Sequence, residues 1–202
     1  MNRLSATLAA CALSAGAFVA GVGWLTEGFE TWTFEALRRS AAARGELRMP
    51  IPALRDSAGR AAGMDPGKVY LVDFIYTRCE SVCQALGAEF FQAQQALRAD
   101  DGVRLMSISI DPQRDGAAEL AGYGRLHRAD PALWTLAAPL SPATGAESLK
   151  ALGVVAVPDG LGGWMHNGAI HVVGADGHVH RVFDYADWAA ALAEARRVAA
   201  RS

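Results

Sequence analysis

Val69-Tyr70-Leu71-Val72-Asp73-Phe74-Ile75-Tyr76, followed at once by Thr77-Arg78-Cys79-Glu80-Ser81-Val82-Cys83, is the stretch from which the organisation of this chain can be read. The first run is almost continuously apolar, as expected of a strand buried on both faces inside a largely parallel sheet. The period then changes. Val82, Leu86, Phe90, Ala93 and Leu97 recur at helical spacing and predict a helix over Ser81–Arg98. Cys79 and Cys83 therefore stand where a buried strand gives way to a helix. Positions i and i+4 share a helix face, and the positive end of the helix favours thiolate over thiol. Such a pair suits soft-metal ligation, disulfide chemistry, or both.

Downstream, the alternation of strand and helix continues. Val103–Ile110 reads as a second strand, Asp115–Arg128 as a helix, Leu133–Ala137 as a short strand and Thr144–Leu152 as a short helix. Ala169–Val173 and His178–Phe183 are strands joined by Gly174-Ala175-Asp176-Gly177, a hairpin turn signal. Asp187–Ala199 closes the chain as a helix with Asp187 in the N-cap position. The alternating half implies parallel strands with right-handed crossovers, and the closing hairpin adds an antiparallel edge. This α/β order is that of a thioredoxin-like fold, a mixed sheet flanked by helices, with one inserted element. Ahead of it, Ile51–Leu54 and Asp56–Gly59 read as a short strand and a turn.

The N-terminus has a different composition. Leu4 to Leu25 carries no charge and is rich in Ala, Leu, Val and Gly, with Trp24 near its end. About 20 such residues span a bilayer, and Trp is favoured at the interface. Residues 1–25 are expected to be a transmembrane anchor or signal segment, 26–48 a juxtamembrane linker, and 49–202 the folded domain. Arg3 on the short side, with Glu27 and Glu30 beyond the span, orients the N-terminus to the cytoplasm and the domain to the extracytoplasmic (periplasmic) side. Leu8-Ala9-Ala10-Cys11 has the form of a lipoprotein cleavage box, but the apolar run continues past it. With a net charge of −2 and no basic block, nucleic acid is excluded as a partner. Cys79 and Cys83 are the only cysteines beyond the span. A disulfide closing so short a loop gains little loop entropy, so the spacing suits a reactive pair better than a structural staple.

The segment Phe74-Ile75-Tyr76-Thr77-Arg78-Cys79-Glu80-Ser81-Val82-Cys83 resembles the F-x-Y-T-x-C-P-x-x-C-P signature of the SCO/SenC proteins. Asp111-Pro112-Gln113-Arg114-Asp115 is similar to their D-P-x-R-D segment, and His166 falls where they carry a histidine before a strand. The resemblance runs from about Ile51 to the C-terminus. It implies a membrane-tethered thioredoxin fold that binds copper through Cys79, Cys83 and His166 and serves assembly of the dinuclear copper centre of cytochrome c oxidase. The copper-site subunit of that oxidase is the implied client. The family prolines after each cysteine are Glu80 and Gln84 here, and the family aspartate before the histidine is Met165.

Two readings follow. In the first, two thiolates and an imidazole form a soft, low-coordinate site for Cu(I) or Cu(II), and the protein is a metallochaperone. Ligand-exchange delivery needs no turnover and is not catalysis. It does need reduced cysteines, hence a thiol reductant protein as a further partner. In the second, Cys79 and Cys83 are the catalytic, redox-active pair of a thiol–disulfide oxidoreductase acting on cysteines of an exported or membrane client. Against it, the spacing is C-x-x-x-C, and Gly162–Gly168 offers a histidine where a thioredoxin has its cis-proline. Tyr76, Phe74 and Trp164 are expected to wall the site. Asp115 is expected to cap the following helix and Met165 to pack in the core. His127 is expected on a helix surface, and His178 and His180 on one face of an edge strand.

Overall fold

The computed structural model describes residues 3–79, 82–97, 102–160 and 162–201. Glu80, Ser81 and the Arg98 end of the predicted helix lie outside the described residues, as do Met1 and Asn2. The chain divides into two compact units, 1–40 and 41–202.

In the first unit, α1 (Arg3–Leu25) is a single 23-residue helix, about 35 Å long at 1.5 Å per residue. It is long and apolar enough to cross a membrane. Thr26 Oγ1 donates to the Val22 carbonyl at 2.7 Å where the helix ends. Phe29 and Trp32 then stack with centroids 5.9 Å apart. The juxtamembrane linker contains α2 (Phe34–Ala43). Its first turn is capped by Thr33 Oγ1, which accepts from the Ala36 N–H at 3.0 Å.

The second unit is built on seven strands: β1 (Leu54–Asp56), β2 (Ala61–Ala62), β3 (Val69–Ile75), β4 (Val103–Ser109), β5 (Trp134–Pro139), β8 (Ala169–Gly174) and β9 (Val179–Asp184). Their order is β2-β1-β5-β4-β3-β8-β9. β3, β4 and β5 are parallel, while β8 runs antiparallel to β3 and β9 to β8. Every residue of β3 is buried, which is why that strand reads as an unbroken apolar run. The helices are α3 (Val82–Ala96), α4 (Ala117–Leu126), α5 (Pro142–Ala151) and α6 (Trp188–Ala199). The crossovers β3-α3-β4 and β4-α4-β5 progress in one direction, so their right-handedness sets α3 and α4 on the same face. There, Tyr123 of α4 donates its hydroxyl to the Cys83 carbonyl of α3 at 2.7 Å. α6 packs against α3 and the β3–β8 region.

Two predicted N-caps are corrected. Asp187 occupies the cap of α6 but makes no side-chain cap bond; Asp184 accepts from the Ala186 N–H instead and starts a short 3-10 turn, Tyr185–Asp187. Asp115 does not cap α4, whose N-cap is Gly116. One element was not expected. β6 (Ala156–Pro158) and β7 (Trp164–His166) pair as a separate two-stranded hairpin, so the predicted loop carrying His166 is partly strand.

Candidate metal and dithiol site

The site lies just beyond the carboxyl end of β3, where neighbouring strands depart in opposite senses: β4 parallel on one side, β8 antiparallel on the other. Open α/β sheets bind ligands at such a switch. The Cys79 N–H donates to the Tyr76 carbonyl at 3.1 Å, making a tight turn off the strand. Asp115 fixes that turn. Its carboxylate accepts from Thr77 Oγ1 at 2.6 Å, the Thr77 N–H at 3.1 Å and Ser109 Oγ at 2.6 Å. The carboxylate expected to cap a helix thus ties the cysteine turn to the end of β4.

Cys79 and Cys83 are both buried free thiols. The Cys83 N–H, in the first turn of α3, points at Cys79 Sγ at 3.3 Å, the orientation that stabilises negative charge on that sulfur. Gln84, standing where the family has proline, donates Nε2 to the Cys79 carbonyl at 2.9 Å and so braces the same loop with a side chain. The Cys83 thiol is held far above its ordinary range, first by the hydrogen bond it donates to the neighbouring Cys79 sulfur and then by burial. It is therefore protonated at neutral pH.

His166, at the end of β7, closes the constellation. Its Nε2 lies 3.4 Å from Cys83 Sγ, across 83 residues of sequence. Which atom donates depends on the tautomer. Burial lowers the imidazole pKa, with the Cys79 sulfur and a backbone group of Asn167 acting the other way, so the ring is neutral and a lone pair is free for a metal. Tyr76 packs edge-on to the imidazole, centroids 6.3 Å apart. Gly163 lies close to Tyr76 in the hairpin: a Cβ there would push aside the Asp159 carboxylate, 2.6 Å away, and crowd the Tyr76 hydroxyl oxygen at 3.1 Å. Among the described residues, no three His, Cys, Asp or Glu side chains are gathered tightly enough to hold a metal as they stand.

Other expectations fare unevenly. Trp164 packs on the core beside the site. Phe74 meets His171 edge-on rather than the imidazole of His166, and His171 is buried with Nδ1 3.2 Å from the Val72 carbonyl. Met165 is 62% exposed, not a core residue; on a two-residue period it faces away from His166. His127 is not simply on a surface, since it stacks on Tyr123 at 4.4 Å and lies against Gly87. His178 and His180 do pair, 4.7 Å apart, at the opposite end of the sheet from the cysteines.

Sequence reading passed over one buried group. Asp73, in the middle of β3, has no exposed surface, and neither carboxylate oxygen finds a hydrogen-bond partner of ordinary geometry. Burial pushes its pKa up to about 7. The charge at Asp73 also contributes to raising Cys83 and Tyr123. The lone acid within an apolar strand was the available signal.

A thioredoxin-like sheet with a buried dithiol and an imidazole from the facing hairpin defines a class of soft-site, thiol-bearing proteins. The SCO1/SenC family model matches residues 56–200, and the chain belongs to that family. It is 31% identical over 116 residues to a SCO1 protein homolog of Bacillus subtilis (strain 168), covering 56% of this chain and 60% of that relative's length. Among solved structures, it resembles Bradyrhizobium japonicum ScoI with copper bound at 26% identity and a TM-score of 0.61, over 74% of this chain and 98% of that one. It also resembles BsSco, described as containing a disulfide switch and as a member of the Sco family of cytochrome c oxidase assembly proteins. That match has 20% identity and a TM-score of 0.68, over 77% of this chain and 95% of the other.

Proposed function

We propose that this protein is a membrane-anchored copper metallochaperone that carries copper as cargo on Cys79, Cys83 and His166 and delivers it to the copper centre of cytochrome c oxidase during assembly. The observation that carries the reading is the 3.4 Å approach of His166 Nε2 to the buried Cys83 thiol. An imidazole presented to a free dithiol by a separate hairpin is a donor set for a soft or borderline cation. The copper-bound ScoI relative supports the cargo. Capture requires the cysteine loop to close on the Cys83–His166 pair and Cys83 to give up its proton, so affinity rises with pH. Residues 1–25 serve as the anchor, 26–48 as the linker and 49–202 as the carrier domain, exposed on the extracytoplasmic side.

A second reading, a thiol–disulfide oxidoreductase acting on client cysteines, is favoured by one feature: the α3 N–H aimed at Cys79 Sγ, which suits a nucleophilic sulfur. Related BsSco is described as having a disulfide switch. Anaerobic copper titration of the reduced, detergent-solubilised chain against a competing chelator separates the two. One-to-one binding that is lost in Cys79→Ser and Cys83→Ser and weakened at least about tenfold in His166→Ala is the chaperone result. No binding by the wild type, with two titratable thiols, sinks it in favour of the reductase.

A further inference from the structure

Among the described residues, the hairpin that carries His166 joins no larger sheet, and β6 pairs with β7 alone. A lone two-stranded hairpin is marginal in water, so its placement over the cysteines depends on tethers. One of them joins three distant segments at a single atom. The Gly162 carbonyl accepts from Arg78 Nη2 at 3.0 Å and Arg114 Nη1 at 3.4 Å. The same two nitrogens face Asp111 Oδ2 at 3.9 Å and 3.1 Å. Arg78 immediately precedes Cys79, Asp111 and Arg114 follow β4, and Gly162 leads into β7. The buried Asp111 carboxylate accepts a hydrogen bond from Arg114 and attracts Arg78 at longer range, while the arginines themselves remain about half exposed, at 50% and 55%. Hydrogen bonds from charged donors are stronger than neutral ones, and here two of them converge on one backbone oxygen.

We infer that Arg78, Arg114 and Asp111 form a latch that holds the hairpin closed and positions His166 against Cys83. None of the three touches the metal-binding atoms in this role; they act through the Gly162 carbonyl. An open latch lets the hairpin lift, leaves the two thiols without their third ligand and hastens copper release. The copper consequence rests on the chaperone reading; the latch itself does not.

Two measurements on the full chain test it. The first is amide hydrogen exchange of the metal-free protein. Arg78→Ala/Arg114→Ala is expected to speed exchange of the β6–β7 amides at least about tenfold while β3, β4 and β8 keep their protection. Unchanged hairpin exchange overturns the latch whether or not copper binds. Should the double variant fold poorly, the single Arg78→Ala, at a half-exposed position, is read the same way. The second is copper transfer to excess chelator. Release from the double variant is expected to be about tenfold faster than from wild type, with no further acceleration when the same changes are made in His166→Ala. Faster release in that background as well would show that the arginines do not act through His166. A wild type that binds no copper would defeat the chaperone reading and leave the exchange result to decide the latch.

Discussion

Asp73 sits on the central strand fully buried, with no hydrogen bond of ordinary geometry to either oxygen and a Ser107 interaction too weak to offset burial, a costly arrangement for a charged carboxylate. Its folded pKa, pushed up to about 7, exceeds the value near 3.9 expected of an unfolded chain. Between those values the native state holds a proton that the unfolded state has lost. Stability therefore falls as pH rises through about 4 to 7, and the full cost is present above that window. Asp73→Asn keeps the shape and removes the titration. Urea unfolding from pH 4 to pH 8 should show a downward slope in the wild type and a flatter one in the variant. At pH 8 the variant should be more stable, by up to about 4 kcal/mol. A wild type that grows more stable over this range would show that Asp73 stays ionised.

At the scale of elements, the joints around the site are held by side chains, and those joints were the hardest part to read from sequence. The strands and helices of the main sheet were legible, because burial on both faces of β3 and the helical period of α3 leave direct marks in residue pattern. The Cys79/Cys83 pair stands out by its i, i+4 spacing, whereas His166 entered only through the family resemblance; the structure brings its Nε2 to 3.4 Å from Cys83 Sγ. The β6–β7 hairpin was not: Ala156-Val157-Pro158 is too short to show a period, and its partner was read as a glycine loop. Nor was the role of Asp115, since an acid before a helix matches a cap signal equally well. The structure spends that carboxylate on Thr77 and Ser109 instead. Asp115→Ala leaves the buried Ser109 hydroxyl and two half-buried donors of Thr77 without their acceptor. It should cost about 3 kcal/mol and loosen the cysteine turn, seen as a lower denaturation midpoint together with faster alkylation of Cys79. A cap residue would lower stability by about 1 kcal/mol and leave thiol reactivity alone. Gly163→Ala tests the hairpin from the other side. The added methyl would push aside the Asp159 carboxylate and crowd the Tyr76 hydroxyl that packs near His166; copper affinity should drop modestly while the free-thiol count stays at wild type.

For the molecule as a whole, the placement of the dithiol matters as much as its geometry. Cys79 and Cys83 are buried and not joined in a disulfide, and a pair poised to ligate a soft cation must be kept reduced. On the extracytoplasmic side that condition is maintained against an oxidising environment, which is why the chaperone reading requires a thiol reductant as well as a client. The apolar helix α1 bears on this directly. Arg3 on one flank and Glu27 and Glu30 on the other are the charge bias on which the proposed orientation, short end in the cytoplasm and folded domain outside it, rests. Two experiments in a bacterial host examine the arrangement. The full chain should remain in the membrane fraction after alkaline carbonate washing, whereas a chain lacking residues 1–25 should be released. A reporter active only outside the cytoplasm, fused after Ser202, should be active with α1 present. It should fall silent when Arg3 is replaced by Glu and two lysines are placed after Leu25, because the charge bias then reverses. Activity unaffected by that reversal would mean that something other than flanking charge sets the orientation. A reporter silent in the wild type would place the dithiol in the reducing cytoplasm, where neither delivery to an extracytoplasmic copper centre nor a dedicated reductant would be needed.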